Sequence, residues 1–220
     1  MSIYISDLLA VALSIGILTG YHAFLRIRVK RNPNYTIQAI LNKGRYAWVE
    51  RVMTEREGIL AVQTLRNAIM GASFFASTAV VLIVGTLTLT AQSDKLAAAW
   101  HALSPYGAIN EDLWLVKLLV LLIDLLCAFV CFTQTIRLLS HVGLMIAVPP
   151  ATVAPAFVAG LLIQAGRYHT RGMRCYYFAG PMLFWLFGAI FLVLASCGLV
   201  AVLYHLDKSP ARAIPGMSTE

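Results

Sequence analysis

Charge is scarce in this sequence. Its 220 residues include 17 Lys or Arg and 10 Asp or Glu, so 12% carry charge, whereas a soluble domain uses about 25%. A water-facing surface cannot be built from so few, and those present are bunched. That excludes a soluble enzyme and a free nucleic-acid binder. Cysteine is also sparse, with four in all, and the loop and tail expected on the outer side hold no cysteine pair, so no disulfide scaffold is implied. There is no phosphate-binding glycine loop, no nucleophile elbow and no zinc-protease motif, so nothing recommends an enzyme. What the chain does have is apolar residues, 60% of the total, with a mean hydropathy of +0.77.

These residues fall into runs. A membrane-crossing helix needs about 20 mainly apolar residues, and four stretches supply them: about 4–25, 60–90, 113–140 and 178–206. They are continuously apolar, whereas barrel strands alternate, and lipid leaves only these two ways to satisfy a backbone. The fold class expected is therefore all-α integral membrane, a single bundle over 1–206 followed by a flexible polar tail at 207–220. The segment 142–166 contains Pro149, Pro150 and Pro155 and an apolar run of only ten residues. It predicts a re-entrant or surface-lying segment, with a fifth span as the competing reading.

Basic residues set the orientation. Arg26, Arg28, Lys30, Arg31, Lys43, Arg45, Arg51, Arg56 and Arg66 lie in or beside the first loop; Arg137, Arg167, Arg171 and Arg174 lie in or beside the third. Together they are thirteen of the 17. By the positive-inside rule both loops are cytoplasmic and both termini outside. The first span carries Asp7 and lacks a positive leading region, so it predicts an uncleaved span rather than a signal peptide. In the first loop, Trp48, Val49, Val52 and Met53 share one face opposite Lys43, Arg45, Glu50 and Arg51. That pattern predicts an amphipathic helix at the membrane interface, interrupted near Gly44.

Ionisable residues inside a span are costly and mark function by default. Lys117, Asp124, Cys131 and Thr135 fall near one meridian of the third span, at 100° per residue. This polar seam faces the bundle, and Asp124 serves as a hydrogen-bonded acid, a proton relay or a subunit contact. At the cytoplasmic boundary Gln63, Arg66 and Asn67 open the second span while Gln134 and Arg137 close the third, predicting a polar cluster between them. Ala12, Gly16 and Gly20 on the first span, and Ala68, Ala72 and Ala76 on the second, repeat every four positions. Such stripes allow close helix contact, within the chain or with a neighbour.

The histidines and cysteines also bear on cofactors. His22 with His141, and His101 with His205, lie at matching depths as a di-haem protein requires, but His22 and His205 are at span ends. Cys127 and Cys131 are one turn apart without a further ligand nearby. No cofactor or metal is expected. The expected partners are anionic lipid headgroups at loops one and three and other integral membrane subunits, not nucleic acid.

One further signal is the wording of the sequence itself. Ile59-Leu-Ala-Val-Gln-Thr-Leu-Arg-Asn67, followed by Ala72-Ser-Phe-Phe-Ala-Ser-Thr78, resembles an uncharacterised family of small multi-span membrane proteins of bacteria and plants, a domain of unknown function. Gln134-Thr-Ile-Arg137, His141, Arg174-Cys-Tyr-Tyr-Phe178, Pro181 and Phe184-Trp-Leu-Phe-Gly188 are similar too. The resemblance runs from about residue 45 to Asp207. It implies a multi-span membrane protein without an established activity and supplies no catalytic residue; the location expected for the helical bundle is a bacterial inner membrane. The function expected is that of a non-catalytic subunit or assembly protein of a larger membrane complex. A small proton- or ion-linked transporter component using Asp124 is the alternative.

Overall fold

The structure, a computed structural model, describes residues 2–31, 37–55, 58–92 and 111–207. They form six α-helices and, among the described residues, no strand: α1 (Ser2–Arg31), α2 (Ile37–Glu55), α3 (Gly58–Ala91), α4 (Glu111–Met145), α5 (Pro155–Trp185) and α6 (Ala189–Asp207). Four helices, over Ile5–Arg31, Gly58–Ala91, Asp112–Met145 and Ala189–Asp207, are long and apolar enough to cross a membrane. Their threonines suit that setting. Thr19, Thr64 and Thr88 are exposed and Thr78 and Thr133 half-buried, and each donates its hydroxyl to the carbonyl four residues back, so these five donors need no partner from lipid, which offers none.

The helices pack in the order α1, α6, α5, α4, α3, with α2 lying against α5. The α4–α5 pairing is the most extensive, and it is antiparallel over the full length of α5. Ala165 meets Thr135 at one end, Gly172 meets Phe132 midway, and Trp185 meets Lys117 at the other end. Gly172 makes this approach possible, because a Cβ there would lie 2.8 Å from the Phe132 ring.

Two expectations are corrected here. The segment after Pro150 is not a short surface piece: Pro155 stands at the N-terminus of a 31-residue helix. Proline is tolerated there because the first-turn amide has no intrahelical partner. Apolar length alone missed this helix because Arg167, His169, Arg171 and Arg174 interrupt its middle. The second correction concerns 178–206, which is not one helix. Pro181 removes a backbone donor near the end of α5, and the chain turns through Leu186, Phe187 and Gly188. Gly188 has φ +146°, a conformation that side chains disfavour. The chain then runs back as α6.

The reversal moves the C-terminal end of the bundle. Ala10 of α1 packs with Trp185 and Leu192, whereas Tyr21 packs with Leu199 and Leu203. Helices α1 and α6 are therefore parallel, and the start of α1 and the end of α6 lie at opposite ends of the bundle. Two outer termini do not fit this arrangement. Separately, α2 continues through Gly44 without interruption. Its residues Val49, Val52 and Met53 are buried in one cluster with Leu65, Leu138, Val142 and Val158, so its apolar face seals the end of the bundle. The loop bearing Trp100 and His101, and the tail from Lys208, lie outside the described residues.

Candidate functional site: the polar seam of α4

Helix α5 supplies the surface that the seam of α4 faces. Each of the three levels differs chemically.

At the Asp7 end, the Lys117 ammonium lies 3.1 Å from Asp7 Oδ1 of α1 and donates to the Trp185 carbonyl at 3.2 Å. It also sits 5.2 Å from the centre of the Trp185 ring. Trp185 donates its Nε1–H to the same Asp7 oxygen at 2.7 Å. Three helices meet in this knot. Asp7 and Lys117 are both buried, so each charge depends on the other, because an isolated ion in a dry interior is very costly. The Trp185 carbonyl, at the point where the α5 ladder ends, accepts from Lys117 and from the Gly188 N–H at 3.1 Å.

In the middle, Asp124 faces the Cys175 thiol of α5. Its Oδ2 is buried without a hydrogen-bond partner. Cys131 and Cys127 are close enough to act electrostatically on the same thiol. Next to them Tyr176 donates its hydroxyl to the Phe75 carbonyl of α3, joining the third helix. All four cysteines are free.

At the α2 end, the Thr135 hydroxyl donates to Cys131 O at 2.9 Å and points towards Ala165 O at 3.5 Å. Phe132 is fully buried beside it. Its ring stacks on Phe75 with centroids 5.3 Å apart and meets His169 edge-on at 5.6 Å.

All four seam residues thus point into the bundle. The boundary cluster is arranged differently. Gln63, Arg66, Asn67 and Arg137 are exposed and Gln134 half-buried, and no hydrogen bond joins any two of them. Helices α3 and α4 meet instead through the adjacent apolar stripe, with Leu65, Leu138, Leu139 and Val142 in one cluster. That stripe turns the Gln and Arg side chains away. The small-residue stripes also divide. Ala72 and Ala76 of α3 are buried, Ala76 against Ala128 and Phe132 of α4, and Ala68 is exposed. On α1, Ala12, Gly16 and Gly20 are all exposed, and a Cβ at either glycine would meet nothing within 4 Å.

The sequence reading missed several partners: Asp7 and Trp185 for Lys117, Cys175 for Asp124, and His169 beside Phe132. Asp7 was detectable by the same rule that marked Asp124, being an acid within an apolar run. A second polar lock holds the other end of α6. Tyr21 donates its hydroxyl to Asp207 Oδ2 at 2.9 Å, and Arg174 Nη2 lies 3.5 Å from the same oxygen. Of the histidines weighed for haem, His22 directs Nδ1 to the Leu18 carbonyl at 2.8 Å, while His141 and His205 are exposed.

An all-helical bundle with four membrane-length apolar helices and a buried intramembrane ion pair defines a polytopic membrane protein. Residues 9–211 match the family described as "Protein of unknown function, DUF599", and the chain belongs to that family. No curated protein and no solved structure matches it.

Proposed function

We propose that this chain is a non-catalytic subunit of a larger membrane complex and holds its partner through the open face of α1. The observation carrying this reading is the contrast between the two small-residue stripes. The α3 stripe is largely consumed by packing inside the chain, whereas Ala12, Gly16 and Gly20 face outwards on an edge helix. Lipid tails fill such a shallow face less completely than a second helix does, since close backbone approach is what small residues permit. The test is a Gly16→Leu, Gly20→Leu double variant. Its own melting temperature should be unchanged, as expected for substitutions at open surface positions. Co-purification of fixed partners should fall by about tenfold, the effect of losing roughly 1.4 kcal/mol at the interface.

We infer the orientation from the charge bias between the two ends of the bundle. The end bearing Arg26, Arg28, Lys43, Arg45, Arg66, Arg137 and Arg167 is the cytoplasmic one under the positive-inside rule. Helix α5 then crosses beside α4 as a fifth span, its arginines reaching towards the cytoplasmic headgroups. The start of α1 is then outside and the end of α6 inside. A reporter that is active only in the cytoplasm should be active when fused after Asp207 and silent when fused ahead of Asp7; the reverse pattern would overturn the assignment. Helical spans with this charge bias suit the inner membrane of a bacterium.

A second reading rests on Asp124. A buried carboxylate oxygen without a partner, facing a thiol, is the feature a proton- or ion-linked path would require. In that reading Asp124→Asn inserts and folds normally in reconstituted vesicles but abolishes a pH-driven flux. Under the subunit reading the amide is tolerated and the vesicles show no flux with either protein.

A further inference from the structure

A site for an anion lies between α2 and α5, apart from the seam. Arg45 projects from α2 onto the backbone of α5, where its guanidinium lies flat over Gly166. A Cβ at that position would stand 2.6 Å from Arg45 Cζ and 2.7 Å from Nη2. Only glycine leaves room for the group there. Gln38 of α2, which donates to Thr170 Oγ1 at 2.9 Å, fixes the two helices alongside.

Among the described residues this seated cation has no counter-charge. Its one hydrogen-bond partner among the described residues is the Asn42 Oδ1 atom, 3.0 Å from Nη1. Burial pushes the Arg45 guanidinium down from its ordinary value, the direction expected when desolvation is uncompensated. His169 lies one turn along α5 from Gly166 and close enough to feel the Arg45 charge. Its ring is held edge-on between Phe75 and Phe132, at 5.9 Å and 5.6 Å, and neither ring nitrogen has a hydrogen-bond partner among the described residues. Two half-buried polar groups on facing helices are close enough to interact electrostatically, and among the described residues neither has an anionic partner. Partly buried cations are ordinarily paired, and the missing component is an anion.

We propose that Arg45 and His169 bind a phosphate group between α2 and α5. A carboxylate held by a bidentate guanidinium fork keeps only lone pairs that lie in its own plane. A phosphate has oxygens left over to meet the imidazole as well. The surrounding face is basic, with Arg167 and Arg171 exposed on the same stretch of α5, which raises the local concentration of any phosphate-bearing species. The phosphate can come from an anionic phospholipid headgroup or from a soluble phosphate compound.

The experiment uses the full chain, delipidated in mild detergent, with two probes. Phosphatidylglycerol retention is counted by native mass spectrometry against phosphatidylcholine as the zwitterionic control, and radiolabelled inorganic phosphate is followed by equilibrium dialysis. Retention of phosphatidylglycerol that falls about tenfold or more in Arg45→Gln, as loss of a charge-assisted contact predicts, supports the site with a lipid as its source. The same loss seen with inorganic phosphate supports it with a soluble source. Gly166→Ala displaces the guanidinium without removing its charge and should reproduce the loss, while Arg167→Gln, on the exposed face, should not. Gly166→Ala also serves as the second variant if Arg45→Gln does not fold. Binding of neither probe by the wild type, or equal binding by wild type and both site variants, would overturn the proposal.

Discussion

Lys117→Met is expected to destabilise the bundle by about 3–5 kcal/mol, the effect of removing one partner from a buried ion pair. The substitution preserves side-chain length and much of the packing. It leaves the Asp7 carboxylate in the interior with only the Trp185 Nε1–H for compensation, and leaves the Trp185 carbonyl with only the Gly188 N–H. The double variant Asp7→Asn, Lys117→Met removes both charges while keeping a side-chain acceptor for Trp185. It should recover most of the loss, since replacing a whole buried pair by neutral groups is often close to neutral. Denaturant titration in mixed micelles reads both variants. A single variant as stable as the wild type would show that α1 is not joined to α4 and α5 by this pair.

Phe132→Ala should cost about 3–5 kcal/mol as well, for a different reason. The ring is fully buried and is the common neighbour of Phe75, His169 and Tyr176. Gly172 has given up its side chain to admit it. Three helices therefore line the cavity that truncation opens, and none can collapse into it without losing its other contacts. Phe74→Ala is the matched control. That ring is adjacent in sequence to Phe75 but 69% exposed, and its removal should stay within about 0.5 kcal/mol in the same assay. Equal losses for the two variants would mean that Phe132 does not occupy a shared core.

Much of this was legible from residues alone. Continuous apolar runs identify α1, α3 and α4, and the meridian through Lys117, Asp124, Cys131 and Thr135 runs along the side of α4 that packs on α5. The signal failed where one helix carries two kinds of surface. Helix α5 is apolar at both ends and basic in its middle, so a criterion based on an unbroken apolar window splits it, leaving a short segment and an overlong span. Pro181 and Gly188 carried the information that the chain reverses, but proline is common enough in membrane helices that neither residue alone establishes a turn. The partners of the seam were out of reach for a simpler reason. Asp7 and Lys117 are 110 positions apart, and periodicity says which face of a helix is polar without saying which helix it meets. The boundary residues Gln63, Arg66, Gln134 and Arg137 illustrate the same limit: a shared depth did not imply a shared side.

The central claim, that the open face of α1 belongs to an assembly, is tested most directly by the native mass and composition of the protein extracted in a mild detergent. The account predicts co-migration with other integral membrane chains in a constant ratio, lost on introducing Gly16→Leu and Gly20→Leu. A single chain surrounded only by lipid and detergent, with wild type and variant alike, would contradict it.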